Sequence, residues 1–191
     1  WPLDAAKDAI DSERSLIKAG DNAAQIRSAI EKVPSEYREG LGFLLNNMPE
    51  RDLQQLSSDY LLGNIQYAYK AWDESPWKDQ IAKDLFFNNI LPYASINERR
   101  DNWRQSFYEK FKPLIEGIDS PGLAAATLNQ KIFPLLKVKY STKRKKADQS
   151  PFESMESGLA SCTGLSIMLI DACRAVGIPA RFVGTPLWSD G

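Results

Sequence analysis

The chain has 191 residues, 43% of them hydrophobic and 26% charged, with a formal net charge of -1. Such a composition suits a globular protein that buries a core without disulfides or metals. The near-neutral charge excludes a general nucleic-acid or membrane-surface binder, which carries a large basic excess, and no run approaches the roughly 18 apolar residues of a membrane span.

In chain order, the first two-thirds predicts helix after helix. Leu3 to Ala19 carries apolar residues at helical spacing and stops at Gly20. Ala23 to Val33 follows, with Asp21 or Asn22 as its cap. The stretch 34–47 opens on Pro34, which suits a helix start. Residues 57–74 take Ser57 or Ser58 as cap, with Leu61, Leu62, Ile65, Ala68 and Trp72 along one side. Residues 79–93 predict a helix that stops at Pro92. Two further helices are expected over 95–117 and 121–136, separated by Asp119 to Gly122.

The composition shifts sharply at 137–151, where Lys137, Lys139, Lys143, Arg144, Lys145 and Lys146 precede the first acid. A charge run of this kind reads first as a solvated connection and second as an anion-binding strip. Aromatics are not interleaved as a single-strand nucleic-acid groove requires.

Beyond it, Ser157 and Gly158 break the chain and Ser161 stands ready to cap a helix that starts at Cys162. Leu165, Met168, Leu169, Ala172 and Val176 recur at three- and four-residue steps, so this helix is expected to be deeply buried. Gly177 supplies a left-handed stop, and Pro179 prevents continuation. The stretch 180–188 then reads as a strand and turn. Cys162 and Cys173 lie about 16 Å apart along such a helix, beyond disulfide reach, and both are expected to be free thiols. Without histidine or a CxxC pair, the chain offers no zinc site.

A cysteine at a helix mouth meets unpaired amide N–H groups and a partial positive charge, which favour an anion. The same N–H groups suit the oxyanion of a tetrahedral intermediate. Cysteine is also among the most buried residue types, so position alone leaves a purely structural role open.

The stretch 150–184 resembles the core motif of the transglutaminase-like superfamily. Pro151, Glu153, Gly158, Cys162, Arg174, Ala175, Gly177, Ile178, Pro179, Ala180 and Arg181 stand in the family's arrangement. Ala160 and Ser161 depart from it, where many relatives carry Gly and Asp. Residues 90–104 resemble segments that precede the core in bacterial members. The resemblance implies an α+β fold: a mostly helical N-terminal region, residues 1–135, followed over 136–191 by the start of a papain-like, transglutaminase-like core in which a buried cysteine helix leads into a strand.

The resemblance also implies that Cys162 is the nucleophile and that its backbone N–H serves the oxyanion. The family's order is Cys, then His, then Asp. Trp1 in place of Met, and an end at Gly191 just after an expected strand, make this sequence read as a fragment. The expected His and Asp therefore lie after Gly191, in a C-terminal half that is this chain's first partner. The chemistry implied is acyl transfer or hydrolysis at a protein or peptide amide, with no metal or organic cofactor, in a periplasmic or cell-surface protein. The alternatives are a non-catalytic module that keeps the core, and a helical interaction protein.

Around the nucleophile, Arg181 is expected to pair with a buried carboxylate and Trp188 to pack in the core or wall the cleft. Cys173 should be packing, with Asp171 and Arg174 solvating the helix's outer side. Tyr140 and Gln149 are candidates to approach the oxyanion.

Overall fold

The computed structural model describes residues 12–184. The expected helix from Leu3 is described from Ser12 onward, as α1 (Ser12–Ala19). A short 3-10 turn then leads into α2 (Ala23–Lys32). Asn22 does not cap α2 with its side chain. Its Nδ2 instead donates to the carbonyls of Leu53 (2.8 Å) and Leu56 (2.9 Å), tying down a loop 31 residues away. Next come α3 (Arg38–Asn47), the single turn α4 (Glu50–Leu53) and α5 (Ser58–Asp73). Ser57 caps α5 by accepting the Tyr60 N–H, and Leu61, Ile65 and Ala68 are buried along its inner face. Helix α6 (Lys83–Asn89) ends before Pro92, as the proline requires.

The helix expected over 95–117 is shorter: α7 spans Arg104–Phe111, with a 3-10 turn at Lys112–Ile115. Residues 95–103 take another course because the buried Glu98 carboxylate accepts the N–H groups of Ser95 (2.5 Å) and Ile96 (2.7 Å). Arg100 meanwhile reaches Asp52 at 2.9 Å. Local side-chain acceptors of this kind compete directly with helical hydrogen bonds. Helix α8 (Pro121–Leu136) has the expected bounds, is capped by Ser120, and ends with Lys137 in the left-handed region at φ 56°.

The last stretch positions the cysteine. Strand β1 (Lys139–Tyr140) lies parallel to β2 (Leu159–Ala160), with Lys139 opposite Leu159 and Tyr140 opposite Ala160. Parallel strands need a crossover, and here it holds α9 (Pro151–Ser157). Immediately after β2 comes α10 (Cys162–Ala175), which packs against α5, α7, α8 and α9. Ile167, Met168, Ala172 and Ala175 on it are fully buried. Burying a large aliphatic side chain of that kind contributes about 1.5–3 kcal/mol.

One hydrophobic cluster runs through the described chain, from Ala19 and Ile26 to Val176 and Ile178. Aromatic rings form much of its centre: Trp72 stacks on Phe86 at 4.3 Å, and Phe107 meets Phe111 edge-on at 4.8 Å. Two buried arginines tie this core to α10. The Arg104 guanidinium donates to Asn64 Oδ1 and to the carbonyls of Ile90, Leu91, Pro92 and Arg174. That of Arg174 donates to the carbonyls of Pro92, Ala94 and Ala180. Residues 90–94, otherwise irregular, thereby have their backbone oxygens satisfied inside the protein. No helix among the described residues is long and apolar enough to cross a membrane.

Candidate active site

Cys162 is the first residue of α10, and its side chain is exposed. Ser161 precedes it in extended backbone (φ -78°, ψ 175°), and its Oγ accepts the Gly164 N–H at 3.0 Å. The Ser161 carbonyl accepts the Leu165 N–H at 2.9 Å. The N–H groups of Cys162 and Thr163 have no acceptor among the described residues, so two helix-mouth donors remain beside the thiol.

The mouth is fixed from below. Gly164 lies so close to Ala160, Ser154 and Gln149 that a Cβ on it would stand 3.2 Å from the Ala160 Cβ. Helix α9 carries a complete capping box: Ser150 Oγ accepts the Glu153 N–H (3.2 Å) and Glu153 Oε2 accepts the Ser150 N–H (2.9 Å). Burial opposes ionisation of Glu153, yet the Ser150 N–H and the Lys146 ammonium at 3.1 Å hold its carboxyl below the usual range. Gly158, at φ 67°, turns α9 into β2. The pattern Ser-Pro-x-Glu at 150–153 signals this helix in the sequence; the expectations above did not include it.

The basic segment closes on the same point. The Ser141 N–H donates to the Ala160 carbonyl at 2.9 Å, and Ser161 Oγ donates to the Ala147 carbonyl. Residues 141–147 are thus held at both ends by the two residues just before Cys162. Lys146 pairs with Glu153, whereas Lys143, Arg144 and Lys145 have no carboxylate in ion-pair reach among the described residues. The loop is solvated, and it flanks the cysteine.

The other candidates fall differently. Cys173 is packing: it is 5% exposed, and burial pushes its thiol up to about 12. Asp171 and Arg174 do not solvate an outer face, because α10 is enclosed by its neighbours at this level. They are 0% and 1% exposed. Burial holds the Asp171 carboxyl well above the usual carboxylate range, and neither of its oxygens has a hydrogen-bond partner among the described residues.

Gln149 is fully buried and spends its Nε2 on Glu153 O, Ser157 Oγ and Leu159 O, so it braces the α9–β2 turn. Tyr140 is 59% exposed on β1. Arg181 is exposed and makes no ion pair among the described residues. Residues 181–184 form no ladder, since the Ala180 N–H is bound to the Asn89 carbonyl at the end of α6 rather than to a strand. The rest of the expected strand, Trp188 included, lies outside the described residues.

Compared with known proteins, residues 110–191 match the family model of the transglutaminase-like superfamily. This part of the chain is transglutaminase-like. The match begins at the end of α7 and takes in α8, the β1–β2 pair, α9 and the whole of the cysteine helix. The transglutaminase-like superfamily is typically one of cysteine-dependent enzymes. The chain matches no curated protein and no solved structure. An α+β fold with a helical N-terminal region and a transglutaminase-like core is what the described residues present. No group of three or more metal-ligating side chains occurs among them.

Proposed function

We propose that this chain carries the nucleophile of a transglutaminase-like cysteine enzyme, which transfers the acyl group of a protein or peptide amide through a thioester on Cys162. The observation that carries the reading is the exposed Cys162 side chain at the mouth of α10, inside the family match. In this reading the thiolate attacks the amide carbonyl, forming the S–C bond. The tetrahedral oxyanion is met by the unspent N–H groups at the helix mouth. The C–N bond then breaks, the amine leaves with the proton taken from the thiol, and water or a second amine resolves the thioester.

The proton carrier is an imidazole, and the chain contains no histidine. The base is therefore a residue outside these 191, oriented by a carboxylate. The uncompensated cations of Lys143, Arg144 and Lys145 favour an acyl donor with carboxylates near its scissile amide. The expected site of action is the periplasm or cell surface, a reading that rests on the resemblance to exported bacterial proteins.

The test uses the full-length protein with a glutamine-containing peptide and a primary amine. Release of ammonia or formation of the amine adduct, abolished by Cys162→Ala, supports the reading. Turnover that survives Cys162→Ala rejects it. Peptide binding without any turnover favours a non-catalytic module instead.

A further inference from the structure

We propose that the cleft between the C-terminal end of α10 and the 88–95 segment is a carboxylate-binding site, distinct from the Cys162 mouth and shaped for a carboxylate that has an amide N–H beside it, as at the C-terminus of a peptide. The cleft is a small cavity of about 50 Å³, open to solvent and lined by Asn88, Ser95, Arg174, Arg181 and Phe182.

Its polar groups are only partly spent. Arg174 is 1% exposed; its Nε donates to Ala180 O at 3.0 Å and its Nη1 to Pro92 O and Ala94 O at 3.1 and 3.0 Å. Its Nη2 has no acceptor among the described residues. Ser95 Oγ and Asn88 Oδ1 are both buried without a partner among the described residues. Arg181, on the other wall, is unpaired among the described residues. Buried polar atoms in folded proteins are almost always satisfied, so orphans gathered on one cleft call for an explanation.

The charge pattern agrees. Burial weighs most against the Arg174 charge, Asp171 and Glu98 support it from a distance and Arg181 repels it, yet no carboxylate stands within ion-pair reach of either arginine among the described residues. An anion between them replaces that repulsion with charge-assisted hydrogen bonds.

The donors and acceptors narrow the ligand further. Arg174 Nη2, Arg181 and the Ser95 hydroxyl donate, which suits a carboxylate. Asn88 offers its unpartnered Oδ1 as an acceptor, while its Nδ2 donates to the Asp84 carbonyl at 2.8 Å. A sulfate or phosphate would set an anionic oxygen against Asn88 Oδ1, whereas a carboxylate with a neighbouring N–H satisfies all four groups. Arg174 lies twelve residues along α10 from Cys162, about 18 Å at the helical rise, so a ligand here does not touch the thiol.

The test is calorimetric titration of the protein with N-acetylglycine, alongside N-acetylglycinamide, acetate and sulfate. Saturable binding of N-acetylglycine is expected, with no binding of the amide. Acetate and sulfate should each bind about tenfold more weakly, since each forgoes one well-placed hydrogen bond. Arg181→Gln, at the cleft's exposed side, and Ser95→Ala should each weaken N-acetylglycine about fivefold to twentyfold. Asn88→Leu should erase its advantage over acetate. The proposal fails if N-acetylglycine does not saturate below tens of millimolar, which would leave the cleft to ordered water. It also fails if sulfate binds as tightly, or if Arg181→Gln changes nothing.

Discussion

Gly177 packs directly against the backbone of Ala71: a Cβ at residue 177 would lie 2.4 Å from the Ala71 carbonyl oxygen and 2.9 Å from its carbon. The glycine sits at φ +80°, and its own carbonyl accepts the Trp77 indole N–H at 2.7 Å. The end of the cysteine helix is therefore docked on α5 at a point where only hydrogen fits.

Gly177→Ala should accordingly destabilise the protein by about 3 kcal/mol or more, combining left-handed strain with displacement of a backbone contact. Gly20 provides the comparison. It has φ +54° with nothing within 4 Å, so Gly20→Ala carries the conformational cost alone, about 1–2 kcal/mol. Urea unfolding of the two variants separates the effects. Equal losses would mean that the Ala71 contact is absent in solution.

The two cysteines should behave as different chemical species. Cys162 is exposed, while Cys173 is sealed with its thiol pushed up to about 12 by burial. In native protein at pH 8, iodoacetamide should mark Cys162 alone. Cys173 should react on the order of a thousandfold more slowly than in unfolded chain, in line with its thiolate fraction. The same shift has a consequence for stability. A thiol raised on folding contributes stability below its unfolded value, near 9, and loses it as pH climbs through about 12. Cys173→Ala should flatten the alkaline fall in stability over that window, as read from urea midpoints at pH 8 to 11. Tyr69 is raised to about 12 by burial and shares the upper part of the window, which the difference between the two proteins removes.

Because residues 141–147 are clasped by Ala160 and Ser161, their charges act on whatever approaches the thiol. Iodoacetate, an anion, should gain on neutral iodoacetamide at Cys162 in wild-type protein. Replacing Lys143, Arg144 and Lys145 together by Gln should lower the iodoacetate-to-iodoacetamide rate ratio about threefold to tenfold at low salt. In 1 M salt, where screening acts within about 3 Å, the two proteins should converge. An unchanged ratio at low salt would show that the loop's cations point away from the mouth.

Much of this site was readable because it rests on local rules. A serine cap, a helix start at Cys162 and a left-handed glycine at 177 each follow from a residue's own backbone chemistry. The Ser120 and Pro121 start of α8 is of the same kind. What escaped depends on distant partners. Asn22 is a fair cap by type, but its amide is taken by carbonyls 31 and 34 residues away. Residues 95–103 have helical residues enough, yet Glu98 and Arg100 turn their side chains onto backbone and onto Asp52. Asp171 and Arg174 look like an outer face from spacing alone. Only the packing of α5, α7, α8 and α9 around α10 reveals that this helix has no outer face at that level. The exception is the Ser150–Glu153 capping box, which is wholly local and was legible from the start.

Asp171 carries the least comfortable group on the cysteine helix, and its substitution tests whether it is a cost or a counter-ion. Its carboxyl is 0% exposed, has no hydrogen-bond partner among the described residues, and is held well above the usual range chiefly by desolvation, with Arg174 and Arg104 opposing. A carboxyl raised on folding takes up a proton as the chain folds. Its contribution to stability is whole below the ordinary value of 3.8 and is lost as pH rises through the folded value. Asp171→Asn removes that dependence. The variant should match wild type near pH 4 and exceed it increasingly towards pH 7. Urea midpoints of both proteins from pH 4 to 8 read the difference directly, since every other carboxylate titrates in both. A variant less stable than wild type at pH 7 would mean that Asp171 is ionised there. It would then serve as the charge partner that lets Arg104 and Arg174 remain buried, and the pairing would have to close to hydrogen-bond distance in solution.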